Sequence, residues 1–309
     1  METKTKAIIA LIIVCIFWGT TYLALRIGVK DFPPFLFSGI RQVSAGLLLL
    51  VIMYFAKMLE KVTFKDIAKQ ALPGILLITL GNGIIGWAEL YIPSGLAALI
   101  VSVMPIYIVI MNIISGKEKK KFNLKIIGGF ALGCIGIILI FKDNLADLAK
   151  PEYFWGVVAS FGACVFWALG SIYMKHTSFT TSPYTNASIQ FISGGIGLFL
   201  FSLMFDDYAQ LSAITADSLW ALLYLTIVGS LLSYLSYLYA IQHLPIVMVS
   251  TYAYVNPIIA ILLGVLILSE RITWITVLAL ATTLYGVYLI NSGYRSAVDK
   301  VIKKKIVAN

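Results

Sequence analysis

Ten apolar runs decide most of what this chain can fold into. They lie near residues 7–25, 34–56, 71–91, 94–115, 124–141, 154–174, 183–205, 218–242, 246–268 and 273–291. Each is roughly 18–24 residues long, the length a helix needs to cross about 30 Å of hydrocarbon at about 1.5 Å per residue. A water-soluble domain is excluded by the same token: 60% of the residues are hydrophobic and 12% charged, where soluble domains run near 45–50% and about 25%. The connections are too short for a separate soluble domain. The expected fold is an all-α polytopic membrane protein. Lys4 and Lys6 precede the first run, as in a signal peptide. However, Ala7 to Leu25 is too long for a signal h-region and has no small-x-small cleavage site before Arg26, so it reads as the first span.

A net charge of +9 raises the question of nucleic acid, and the placement of the charges answers it. With the N-terminus cytoplasmic, seventeen of the 23 Lys and Arg residues fall on the inner side, five on the outer, and Arg41 within a span. This asymmetry puts both termini in the cytoplasm. The Lys117–Lys125 cluster is a topology anchor, so the expected partners are the bilayer and a small solute, with no nucleic acid. Trp155, Trp220 and Trp274 all fall at outer ends of spans, as an interfacial aromatic belt would. Cys15, Cys134 and Cys164 read as buried free thiols, and His176 and His243 have no ligand-like partner nearby. No metal or other cofactor is expected.

The chain is doubled. Trp87-Ala88, Pro93 and Pro105 recur as Tyr239-Ala240, Pro245 and Pro257 at one offset of 152 residues, and Glu118 recurs as Glu270. Phe17-Trp18-Gly19 matches Phe166-Trp167-Ala168, and Ile40-Arg41 with Gly46 matches Ile189-Gln190 with Gly195, both at 149. Ile135-Gly136 matches Tyr285-Gly286 at 150. The halves are 1–145 and 150–309, the second ending in a basic tail. Each has five spans, an odd number, so the second must enter the membrane in the opposite sense. The expectation is ten transmembrane helices as two inverted repeats, a recurring plan of secondary transporters.

Polar side chains in lipid are costly and should face a watery interior. Thr79, Asn82 and Glu89 in span 3 are spaced to share one helix face, and Ser230, Ser233, Tyr234 and Tyr237 do the same in span 8. Asn186, Gln190 and Ser193 mark span 7, and Ser38, Arg41 and Gln42 mark span 2. Trp18, Thr21 and Tyr22 mark span 1, and Thr251, Tyr254 and Asn256 mark span 9. Stripes on six spans argue for one central cavity, with Trp18, Tyr22, Arg41, Asn82, Trp87, Glu89, Gln190, Tyr234, Tyr237 and Tyr254 as its candidate lining. Arg41 and Glu89 fall at similar depth, as an ion pair with each other or as binding groups for substrate. Pro105 and Pro257 each remove a backbone donor and should bend or break spans 4 and 9. Gly129 and Gly133 form a GxxxG pair suited to close helix packing, inside one chain in preference to a homodimer.

Taken together, Phe17-Trp18-Gly19 with Tyr22, Arg41 with Gly46, and Trp87-Ala88-Glu89 followed by Pro93-Ser94-Gly95-Leu96-Ala97-Ala98 resemble the drug/metabolite transporter superfamily in its EamA branch. Pro105 and the glutamates Glu118 and Glu270 just past spans 4 and 9 complete the likeness, which covers residues 7 to 292. The resemblance implies a bacterial inner-membrane carrier exporting amino acids, related metabolites or lipophilic cations by alternating access. It casts Glu118 and Glu270, with Pro105 and Pro257, as structural or gating positions. The first copy reads Ser115-Gly116-Lys117-Glu118 where the second continues Arg271-Ile272-Thr273, which sets the two glutamates apart. A membrane-embedded enzyme is the rival class, but HExxH, GxSxG and paired intramembrane aspartates are all missing from the sequence. Within carriers, Arg41 favours a carboxylate-bearing substrate, whereas Glu89 and the tyrosines suit a multidrug or lipophilic-cation exporter.

Overall fold

The computed structural model describes residues 3–114, 124–143, 147, 149–270 and 272–307. Among them there are helices and connecting turns but no strand, and each of the ten apolar runs is helical. In chain order the helices are α1 Thr3–Gly28, α2 Pro34–Phe55, α3 Phe64–Ala88, α4 Ser94–Val101, α5 Met104–Ile114 and α6 Leu124–Asp143. Then follow α7 Pro151–His176, α8 Pro183–Phe205, α9 Ala216–His243, α10 Ile246–Val249, α11 Tyr252–Leu268 and α12 Trp274–Val307. Six of them (α1, α2, α3, α7, α8 and α9) are long and apolar enough to cross a membrane by length and composition. The protein is a polytopic helical membrane protein.

The helix boundaries depart from the apolar runs for local reasons. α3 begins at Phe64, ahead of the run at 71, because Thr63 and Asp66 form a capping box that starts the helix in polar sequence. Two runs are each interrupted, at Ser102–Val103 between α4 and α5, and at Ser250–Thr251 between α10 and α11. The first break lies in the turn just before Pro105, the turn a proline disrupts, whereas Pro257 does not break its helix. Pro105 is the second residue of α5, where its missing N–H has no helical partner to lose, and Pro257 sits within the continuous α11. Cys134, expected to be buried, is exposed on α6, while Cys164 is buried and Cys15 half-buried, all three as free thiols.

Three helix pairs tie the first half of the chain to the second, and each runs antiparallel. On α2 and α8, Gly39 meets Phe199, while Gly46, further along, meets Ile192 and Ser188. On α6 and α12, Gly129 meets Gly286 and Ile290, while Gly136 meets Thr283 and Ala279. Gly95 of α4 packs on Ile261 of α11. The Gly129–Gly133 pair therefore packs inside the chain, backbone to backbone: a Cβ at Gly129 would lie 2.4 Å from the Gly286 carbonyl oxygen. Around this frame α1 packs on α9 and α11, and α7 packs correspondingly on α3 and on α4–α5.

Two of these pairs, α2–α8 and α4–α11, are joined at their ends by carboxylates that accept from the first turn of the partner helix. Asp206, after α8, accepts from the Phe35 and Leu36 amides at the start of α2, at 3.3 and 2.8 Å. Reciprocally, Glu60, after α2, accepts from the Ser182 amide and the Thr185 hydroxyl at the start of α8, at 2.9 and 2.8 Å. Glu270, after α11, accepts from the Ser94 amide and hydroxyl at the start of α4, at 3.1 and 3.0 Å. Negative charge at a helix N-terminus meets unpaired N–H groups and the positive end of the helix dipole.

One of these clasps titrates outside the membrane. The Ser182 amide and then the Thr185 hydroxyl hold the Glu60 carboxyl below its usual range. The Thr63 and Thr180 hydroxyls lower Asp66 to about 2, with Thr180 donating across to Asp66 at 2.7 Å. Carboxyls depressed in the folded state stabilise it above their unfolded pKa of about 4 and lose that contribution as pH falls through the folded value. The melting temperature of the purified protein is expected to fall below about pH 4. Glu60→Gln with Asp66→Asn should flatten part of that fall, and raised salt should shrink it, since Glu60 is exposed and Asp66 only half-buried.

Candidate functional site

Helices α1, α2, α3, α7, α8, α9 and α11, with the α4–α5 break, line a central cavity. Among the described residues one charged side chain lines it. Arg41 of α2 is 3% exposed, and its Nε donates to Ser230 Oγ at 3.0 Å and its Nη1 to Asn82 Oδ1 at 3.3 Å. Ser230 Oγ in turn donates to Gln42 Oε1 at 3.2 Å. All these partners are neutral, and among the described residues no Asp or Glu lines the cavity.

Asn82 and Ser230 come from the equivalent spans 3 and 8 of the two halves, and both sit in π-helical stretches. These run from Gly74 to Gly83 within α3 and from Leu225 to Leu232 within α9. Such widened turns recur at functional sites. In α9 the wide turn is closed by Ser233 Oγ, which donates at 2.6 Å to the Val228 carbonyl five residues back. The same geometry redistributes the polar stripe of span 3, because an extra residue per turn breaks the 3.6-residue spacing. Thr79 donates to the Gly194 carbonyl of α8 at 2.7 Å, Asn82 reaches Arg41, and Glu89 lies elsewhere.

Much of the cavity wall is aromatic. Trp18 stands edge-on to Trp167 and to Tyr252, with ring centroids at 5.4 and 5.0 Å, and its Nε1 donates to the Gly229 carbonyl at 3.2 Å. Phe191 and Tyr234, 5.0 Å apart, extend the wall. Trp167 was legible in the sequence as the repeat counterpart of Trp18, and the two meet in space. Nothing in the sequence marked Tyr252, Phe191 or Met104 as lining residues.

Of the ten residues named as candidate lining, Trp18, Tyr22, Arg41, Asn82 and Tyr234 line the cavity together, with Thr21, Gln42, Ser230 and Asn256 from the polar stripes. Gln190 lies behind it, accepting from the Tyr234 hydroxyl at 2.6 Å and donating to Gln70 at 2.5 Å. Tyr237 also backs the wall, 5.1 Å from Trp18 and bonded to Ser171 at 2.6 Å. Trp87 packs on Tyr91 at 5.0 Å, and Trp87, Glu89 and Tyr254 are not among the lining residues. Glu89 is fully buried, with neither carboxyl oxygen hydrogen-bonded, so it forms no ion pair with Arg41. The charges that act on it are Arg26 and Glu270. Glu118 lies outside the described residues. Its repeat counterpart Glu270 caps α4, so Glu270→Ala is expected to cost about 0.5–2 kcal/mol. A melting curve unchanged by that substitution would contradict the capping role.

Similar proteins point the same way. The family model of the EamA-like transporter family matches the chain twice, over residues 5–142 and 154–292. The "Uncharacterized inner membrane transporter YedA" of Escherichia coli strain K12 is 31% identical over 92% of this chain and 90% of its own length. The "Uncharacterized transporter YoaV" of Bacillus subtilis strain 168 is 23% identical over 92% of this chain and 96% of its own. A crystal structure with 15% identity superposes with a TM-score of 0.68, covering 93% of this chain and 97% of that one, and so shares the fold. Whole-chain similarity of this extent, with the family model matching both halves, places the protein in the EamA-like transporter family.

Proposed function

We propose that this protein is a secondary transporter that exports small organic solutes bearing a carboxylate, amino acids or related metabolites, across the bacterial inner membrane. The observation that carries the reading is Arg41. A guanidinium lining a buried cavity, bonded only to neutral groups and facing no acid, is a fixed positive charge in search of an anion. The aromatic wall suits the rest of such a solute, and its ring faces can receive an ammonium. A lipophilic-cation exporter would have to desolvate its cargo beside Arg41 with no acid in the cavity.

The carrier works by alternating access between two inverted five-helix repeats, residues 1–145 and 150–309, in ten spans with both termini cytoplasmic. Three antiparallel pairs between equivalent helices, with carboxylate caps at the ends of two of them, support this arrangement. Counterflow in proteoliposomes with a panel of amino acids, other carboxylates and lipophilic cations, with and without a pH gradient, tests the substrate class. Exchange confined to carboxylate-bearing solutes is expected. Exchange confined to cations would move the site to Glu89 and the tyrosines.

A further inference from the structure

Two cavities lie on opposite faces of α1. Trp18, Thr21, Tyr22 and Leu25 face the central one, whereas Thr20, Leu23, Ala24 and Ile27 line a second, bounded by the start of α9 and the end of α11. The second face continues at helical spacing into Ile16, Ile12 and Ile9, which are 46, 51 and 42% exposed. In a membrane protein such a stripe meets hydrocarbon. The other two walls agree, since Trp220 on α9 and Ile267 on α11 are 67% and 57% exposed. This groove therefore opens sideways to lipid, away from the transport cavity.

Its apolar walls end in charges of both signs. Arg26 and Lys30 supply two cations at the end of α1, and Asp31 and Asp217 supply two anions beside them. Glu270, also on the rim, is occupied with Ser94. One oxygen of Asp31 is buried without a hydrogen-bond partner. A rim with paired charges at the end of an apolar, lipid-facing groove matches a zwitterionic headgroup on acyl chains.

We propose that this groove is a binding site for a phospholipid whose headgroup carries a primary ammonium. Its phosphate lies between Arg26 and Lys30, its ammonium donates to Asp31 and Asp217, and an acyl chain packs along Leu23 and Ile27. A quaternary ammonium has no N–H for the Asp31 oxygen, and an anionic headgroup would face the two aspartates without a counter-charge. The site is distinct from the transport cavity and its test does not depend on the substrate.

Native mass spectrometry of the detergent-purified protein, offered equal amounts of phosphatidylethanolamine, phosphatidylcholine and phosphatidylglycerol, tests it. Retention of phosphatidylethanolamine is expected to exceed that of the others by about tenfold, the effect of one charge-assisted contact. Lys30→Gln should weaken all three lipids. Asp31→Asn with Asp217→Asn should erase the preference for phosphatidylethanolamine over phosphatidylcholine and leave phosphatidylcholine retention unchanged. Arg26 is left intact because it also acts on buried Glu89. Lys30 and Asp217 are exposed, and Lys30→Gln alone keeps the test decisive if the double variant fails to fold. Equal retention of the three lipids by the wild type, or an undiminished preference in the aspartate variant, would overturn the proposal.

Discussion

Replacing Arg41 by glutamine should weaken the apparent affinity for a carboxylate-bearing substrate by about 10- to 100-fold. That loss matches the roughly 1.5–3 kcal/mol of a hydrogen bond to a charged group. Stability should move the other way or not at all. In the empty cavity Arg41 carries the cost of burying a guanidinium, and Ser230 and Asn82 return only neutral hydrogen bonds for it. Glutamine keeps a donor for them and removes that cost. A residue retained at the expense of stability marks a site shaped by function. Arg41→Lys should fall between wild type and Arg41→Gln, because it preserves the charge and loses the planar fork that matches a carboxylate. The checks are concentration-dependent counterflow for affinity and a thermal melt for stability. A glutamine variant that melts at a clearly lower temperature, yet whose folded fraction keeps the wild-type affinity in counterflow, would make Arg41 a structural residue.

The second large effect concerns packing, and neighbouring glycines supply its control. At Gly129 a side chain would meet the Gly286 carbonyl oxygen at 2.4 Å and backbone atoms cannot turn aside as a side-chain tip can. Gly129→Ala should therefore push α6 from α12 and cost about 1–3 kcal/mol, the usual range for overpacking. Gly129→Leu should leave little folded protein. At Gly128, one residue earlier, a Cβ meets nothing within 4 Å. Gly128→Ala should be neutral or stabilise by about 0.5–1 kcal/mol through helix propensity. Melting temperatures of the two alanine variants decide the matter. Equal behaviour would mean that α6 and α12 do not meet along Gly129.

The helices were legible because lipid leaves a chain few choices. Long apolar runs can only be helices, and the offsets of 149 to 152 residues pair equivalent helices before any contact is known. That pairing reached into the site, where Trp18 and its counterpart Trp167 do meet. What was not legible depends on local backbone geometry. The π-helical turns of α3 and α9 have no composition signal, yet they part Asn82 from Glu89 and bring Asn82 and Ser230 to Arg41. The depth argument that matched Arg41 with Glu89 carried no information about rotation around the helix axis. Tyr252 and Phe191 were hidden for a different reason: an aromatic in a transmembrane run looks the same whether it faces lipid, core or cavity.

The most direct test of the account compares a carboxylic acid with its own methyl ester. The two differ by little in shape, and only the acid carries the charge that Arg41 is placed to bind. In counterflow with the wild-type protein, a transported amino acid should be competed by unlabelled amino acid and about 10- to 100-fold less well by its ester. Arg41→Gln should bring the two competitors close to equal. Equal competition by acid and ester in the wild type would contradict the assignment of Arg41 as the carboxylate-binding group.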